Sequence, residues 1–258
     1  MIATYRAGLL LALIAGACGD NRAATPVDAI AAPPIDAPVA PITVLFVGNS
    51  FTYAWEVPEM VAALAAPEAP IASTSIAFGG ATLRDHWQGE ARTAIEGGGH
   101  DVVVLQGQSL EPVFTADFAP HADLLAGAAT AAGARPMFFA TWARRAGDPI
   151  YADPRTGGSA DTLQDRLTAA YADAAARNQA ALAPVGEGFR IVLAEHPAIL
   201  VHHPDGSHAS PAGAYLAACV FVEAITDRPA TDLERHGLDA PTRAILRDAA
   251  HRAVAATK

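Results

Sequence analysis

Cysteine, charge and aromatic rings are all scarce in this chain of 258 residues. The two cysteines are Cys18 and Cys219; if Cys18 is acylated, no intramolecular disulfide can form and stability must come from the core. Cys219, inside "YLAACVFVEAI", reads as a small buried hydrophobe. Aromatics are 7% and the 52% hydrophobic fraction is rich in alanine, so the core is built from small aliphatic side chains of a globular kind. The formal net charge is -10 and no Lys/Arg cluster offsets it, which argues against nucleic acid as a partner and favours a neutral or sugar-like substrate. Internal repeats and cysteine pairs are absent, and so is an HExxH motif. The glycine run at 97–99 precedes a strand and so cannot cradle phosphate at a helix N-terminus.

No apolar run is long enough to span a membrane; Gly8 to Ile14 is the start of a shorter pattern that ends in small residues at Cys18. That layout is an export signal over residues 1–18. "LIAGAC" resembles the bacterial lipobox, whose cysteine is lipidated, although Ala15 stands where leucine is usual; ordinary signal cleavage is the alternative. Residues 19–41 are rich in Pro and Ala and carry no helical or strand period, as expected of an extended tether. The expected location is the cell envelope through a lipid anchor, otherwise secreted or periplasmic, with the anchor as the sole membrane contact.

From residue 42 to 258 short β-like runs alternate with longer helical ones, which predicts parallel βαβ units. Strands are expected at 42–47, 71–77, 102–105, 136–141 and 181–185. Helices are expected at 57–66, 83–96, 118–132, in part of 162–182, at 211–225 and at 241–255. The expected fold is α/β, a three-layer α/β/α sandwich on a central, mainly parallel five-stranded sheet, in a single monomeric domain.

"VLFVGNSFT" sets Ser50 behind the first strand, where open α/β sheets bind ligands. Two readings fit the tripeptide Gly48-Asn49-Ser50: a nucleophile on a tight turn, or a serine that caps the following helix. Near the C-terminus "HHPDGSHASPAG" places Asp205 three residues before His208, a spacing that lets the carboxylate fix the imidazole tautomer and leave the other nitrogen to take a proton. The same loop also reads as a cap for the helix at Pro211, with Ser210 as N-cap. A metal site is the competing use of His202, His203, Asp205 and His208, but adjacent histidines in an extended chain point to opposite faces. "FGGAT" puts Gly79 and Gly80 in a turn after a strand, and "VVVLQGQS" ends a buried strand with Gln106 and Gln108. Ser109 and Ser159 are poorer nucleophiles, the first lacking the second glycine of a G-x-S-x-G elbow.

In this order the segments resemble the SGNH (GDSL-like) hydrolases, in the bacterial branch with a G-N-S-F-T first block, over roughly residues 42 to 225. The resemblance implies a flavodoxin-like fold and a serine ester hydrolase that needs no cofactor and no metal. It implies Ser50 as nucleophile, His208 as general base, Asp205 as its orienting carboxylate, and the backbone N–H groups of Ser50 and Gly80 as oxyanion donors. The family's third block brings an asparagine; "QGQS" offers Gln108 there, with Gln106 as the alternative donor. "ATWARR" and "APVGEGFR" also resemble this branch and suggest that Trp142 lines the pocket. Family membership alone does not give the substrate; a short acyl ester of a carbohydrate or similar extracellular alcohol is expected, because an anchored, acidic protein suits polysaccharide processing and no long apolar lid segment is visible for lipid chains. A general carboxylesterase or lipase-like enzyme is the alternative within the class, and a non-catalytic glycan-binding surface lipoprotein is the alternative outside it.

Overall fold

The computed structural model describes residues 39–257. The expected leader at 1–18, the lipidation site Cys18 and nearly all of the expected tether at 19–41 lie outside the described residues.

The chain runs β1 (Ile42–Gly48), α1 (Ser50–Tyr53), α2 (Val57–Leu64), β2 (Ile71–Ala77), α3 (Leu83–Gln88), α4 (Glu90–Glu96), β3 (Val102–Leu105) and α5 (Glu111–Phe114). It continues α6 (Phe118–Ala131), β4 (Arg135–Phe139), α7 (Ala160–Asn178), β5 (Ala181–Ala183), α8 (Val185–Glu195), α9 (Pro211–Thr226) and α10 (Ala240–Ala255). The sheet order is β2-β1-β3-β4-β5 and every pairing is parallel, so the expected α/β/α sandwich is the fold found.

Alternation along the strands divides the core. Val44 and Phe46 of β1, with Val102 and Val104 of β3, pack on the face covered by α2, α8, α9 and α10. Leu45 and Val47, with Val103 and Leu105, pack on the opposite face against α3, α4, α6 and α7. Both faces are apolar because helices cover both, as parallel sheets require. The strand order reverses between β1 and β3, and a crevice opens at the carboxyl ends of strands on either side of such a switch. Ser50 follows β1 and so stands at that crevice, while Gln106 follows β3 beside it.

Three expectations are corrected. The helix predicted over 83–96 breaks at Gly89, whose extended backbone (φ −110°, ψ −161°) ends α3 and opens α4. The strand predicted over 136–141 begins one residue earlier and stops at Phe139, leaving 140–145 as a loop at the strand's carboxyl end. The strand predicted over 181–185 ends at Ala183, because Pro184 is the N-cap of α8 and removes a ladder donor.

Candidate active site

Ser50 is the first residue of α1, and the residue that caps this short helix is Asn49, whose side chain accepts the Phe51 N–H at 3.1 Å. The capping reading of Ser50 is thereby excluded, and its hydroxyl is left for another partner. Asn49 also donates its amide to Ala81 O at 2.9 Å, tying the serine turn to the Gly80 loop. On the opposite side, Gln106 Oε1 accepts the Asn49 N–H at 3.0 Å and the Thr52 hydroxyl at 2.9 Å. This reach requires Gly48: a Cβ there would lie 2.3 Å from Thr52 Oγ1 and 2.5 Å from Gln106 Oε1.

The partner of Ser50 arrives from the loop before α9. Ser50 Oγ–H donates to His208 Nε2 at 2.8 Å, and His208 Nδ1–H donates to Asp205 Oδ2 at 2.7 Å. The carboxylate fixes the tautomer, leaving Nε2 as the acceptor. Asp205 Oδ1 accepts the N–H groups of Ser207 at 2.8 Å and His208 at 3.0 Å. Desolvation opposes ionisation of Asp205, but the Ser207 N–H and the His208 ring and N–H outweigh it and hold the carboxyl well below the usual carboxylate range.

Two tryptophans and a backbone bond fix the strand of chain that carries His208. Trp142 Nε1–H donates to Ser207 O at 2.9 Å, Trp55 Nε1–H donates to Ala209 O at 3.0 Å, and the His208 carbonyl itself accepts the His203 N–H at 2.8 Å. Trp55 reaches this position through a left-handed backbone (φ 58°), followed by a second left-handed residue, Glu56 (φ 55°). Two consecutive non-glycine residues in that region are strained. Nothing in the composition of "YAWEVP" signals this turn, and Trp55 was missed by the sequence reading.

Ser50, Gly80, Gln108 and His208 line one cleft of about 370 Å3, together with Asn49, Phe51, Ser109, Arg144, Asp205 and Ser207. Gly80 has φ +73°, the region that favours glycine, and no hydrogen bond among the described residues uses the N–H of Ser50 or Gly80. Gln108 faces the cleft with its amide turned to its own loop: Nε2 donates to Ser109 Oγ at 3.1 Å and Oε1 accepts the Leu110 N–H at 3.1 Å.

Two site expectations are corrected. Gln106 is 0% exposed and does not line the cleft; its amide donates to Gly107 O and its oxygen holds the serine turn, so it cannot serve as an oxyanion donor. Trp142 is 2% exposed and lies behind Phe51, where it borders an adjoining cavity of about 400 Å3 rather than the Ser50 cleft. The metal alternative finds no geometry: among the described residues no group of three or more His, Cys, Asp or Glu side chains is arranged to hold an ion. His202 is buried on Ala143 O at 2.9 Å, while His203 turns to Asp205.

Glu111 is a further residue that local sequence patterns did not reveal. It is 2% exposed, and its carboxylate accepts the Leu83 N–H at 3.2 Å and the Gln108 N–H at 2.7 Å, joining the loop after Gly80 to the loop of Gln108. Burial raises its pKa, against the lowering effect of these two N–H groups.

No family model matches the sequence, and no curated protein does. Solved structures do. A Slackia heliotrinireducens protein assigned to the SGNH hydrolases is 34% identical over 72% of this chain and all of its own, with a TM-score of 0.63. The chain belongs to the SGNH hydrolases. A DUF4886 family protein from Bacteroides uniformis matches 84% of the chain and 95% of its own at 18% identity and a TM-score of 0.70. Axe2, an acetylxylan esterase from Geobacillus stearothermophilus, matches 71% and 94% at 18% identity and 0.53. At these two identities the likeness is one of fold. Gln108, which the resemblance sets in the place of the family's third-block asparagine, lines the cleft beside Ser50.

Proposed function

We propose that this hydrolase cleaves esters through an acyl-enzyme, with Ser50 as nucleophile, His208 as general base and then acid, and Asp205 as the group that orients the imidazole. The observation that carries the reading is the unbroken relay from Ser50 Oγ to His208 Nε2 at 2.8 Å and from His208 Nδ1 to Asp205 Oδ2 at 2.7 Å. As Ser50 Oγ attacks the ester carbonyl, its proton passes to His208 Nε2, and the resulting imidazolium is stabilised by the ionised Asp205. The N–H groups of Ser50 and Gly80 receive the developing oxyanion. The imidazolium returns its proton to the leaving alcohol, and a water activated by the same nitrogen then releases the acid and regenerates Ser50.

The substrate is a short acyl ester of a carbohydrate or a similar extracellular alcohol. Support comes from the mostly polar lining of the cleft and from the shared fold with an acetylxylan esterase. The N-terminal pattern supports action outside the cytoplasm, from a lipid anchor at Cys18 or after export. Hydrolysis of 4-nitrophenyl acetate by the wild-type chain and by Ser50→Ala tests the reading. Turnover and labelling by a fluorophosphonate probe are expected in the wild type and in neither assay for the variant, whose circular dichroism should be unchanged. A wild-type chain that neither turns over the ester nor takes the label, yet binds glycan, would instead be a non-catalytic binder.

A further inference from the structure

Among the described residues Arg144 is the one permanent cation lining the Ser50 cleft, and it also lines the adjoining cavity of about 400 Å3. Its Nη2 donates to Ser109 Oγ at 3.2 Å, and its Nε–H is buried without a protein acceptor among the described residues. No carboxylate stands within ion-pairing distance of it among the described residues, whereas Arg190 and Arg252 each hold one at 2.5 Å. Asp205, among the described residues the one carboxylate lining the same cleft, is committed to the His208 ring and to two backbone N–H groups. A partly desolvated guanidinium that lacks a counter-ion is stabilised by any anion that reaches it, and its planar fork matches a carboxylate.

We propose that Arg144 is a specificity-determining residue that binds a carboxylate of the substrate, so that the cleft prefers esters bearing an acidic group close to the scissile bond. The proposal rests on the reading of Ser50 as nucleophile, and it narrows the substrate class. The net charge of -10 gives such a substrate no long-range attraction. Selection therefore arises at contact, where Arg144 outweighs the general field.

Two matched pairs of esters test it. The first is 3-acetoxybenzoate against methyl 3-acetoxybenzoate, with the charge on the leaving alcohol. The second is 4-nitrophenyl hydrogen adipate against methyl 4-nitrophenyl adipate, with the charge on the acyl part. The wild type is expected to favour the carboxylate member of one pair by about tenfold or more in kcat/KM, mainly through KM, as a charge-assisted contact allows. The pair that shows the preference tells which part of the substrate faces Arg144. Arg144→Met should bring the ratio to parity and Arg144→Lys should restore part of it; a merely structural role would lower both members alike and leave the ratio intact.

Calorimetric titration of Ser50→Ala with the same esters reads binding without turnover. The carboxylate member should bind more tightly than its methyl ester, and the margin should vanish in Ser50→Ala/Arg144→Met. Equal affinity within both pairs, or a preference that survives Arg144→Met, overturns the proposal. If the wild type hydrolyses none of these esters the proposed function fails, while the titration still decides the role of Arg144.

Discussion

Trp142 lies flat against Phe51, ring centroids 4.5 Å apart and planes within 7° of parallel, and Phe51 is the residue that follows Ser50. On its other face Trp142 stacks on Phe189 of α8 at 4.3 Å and 2°. Its indole N–H meanwhile holds Ser207 O, the carbonyl immediately before His208. One side chain thus braces the turn that carries the hydroxyl and the loop that carries the imidazole, although these lie 158 residues apart in sequence. Phe51 completes the brace by meeting the His208 ring edge to face at 5.5 Å.

This arrangement separates packing from positioning. Trp142→Ala should destabilise the fold by about 3–5 kcal/mol, the usual loss for a buried aromatic cut to alanine. Trp142→Phe keeps a ring in the stack but removes the N–H, orphaning Ser207 O at a cost of about 1–3 kcal/mol. Its kcat for 4-nitrophenyl acetate should fall more than its KM changes, because the lost bond sets where His208 stands rather than how substrate is held. Thermal unfolding alongside steady-state kinetics checks both; a variant with unchanged kcat would show that Trp55 and the His203 N–H position His208 without help.

Asp205 gives a prediction in pH. Its folded-state pKa is depressed, so the unfolded chain binds the proton more readily than the folded one. The stability it confers is therefore present above the unfolded carboxyl value of about 4 and is lost as pH falls below it toward the folded value. Asp205→Asn keeps an oxygen for the Ser207 and His208 N–H groups and removes the charge. Because the side chain is 41% exposed, solvent screening limits the expected loss to about 1 kcal/mol at pH 7. In urea titrations that gap should close as pH is lowered through the acid range. Turnover should suffer far more, by about a thousandfold or greater, since the imidazole loses the partner that fixes its tautomer.

Much of this site was legible because its parts carry local signals. A strand followed by Gly48-Asn49-Ser50, and a carboxylate three residues before a histidine, are short patterns whose geometry is set by the backbone between them. The supports were illegible for the converse reason. Trp55 meets Ala209 across 154 residues and Trp142 meets Ser207 across 65, and no periodicity reports such a contact. Gln106 was placed correctly at the end of β3, but its direction depends on the absence of a side chain on Gly48, a neighbour in the sheet rather than in the sequence. Helix α8 was hidden because Gly186 and Gly188 count against a helix on propensity, while its buried Val185, Phe189 and Val192 win through tertiary packing.

Glu111 joins the loops of Gly80 and Gln108 by accepting two N–H groups with one buried carboxylate. Glu111→Ala leaves both donors without that acceptor and should cost about 2–4 kcal/mol. Glu111→Gln is the sharper probe, since Oε2 alone accepts both N–H groups and one amide oxygen can keep them while the titrating proton is removed. Its burial-raised pKa means the folded state holds the Glu111 proton more tightly than the unfolded chain does. Stability should thus decline as pH rises from the unfolded carboxyl value through the folded one, and that decline should be missing from Glu111→Gln in chemical unfolding measured across the acid range.

Gly48 and Gly80 flank the cleft but should answer differently to the same substitution. Gly48→Ala drives a methyl to within 2.3 Å of Thr52 Oγ1 and 2.5 Å of Gln106 Oε1, so the anchor of the serine turn must break; overpacking of this kind costs about 1–3 kcal/mol. Gly80→Ala meets no atom within 4 Å, and its cost is the left-handed backbone alone, about 1 kcal/mol. If the Gly80 N–H receives the oxyanion, any relaxation of φ from +73° turns that donor away, and kcat should fall about tenfold to a hundredfold with KM nearly unchanged. Paired melting curves and kinetics on the two variants make the comparison. A Gly80→Ala chain with full kcat would remove Gly80 from the oxyanion site and leave the Ser50 N–H and the Gln108 side chain as the donors to test.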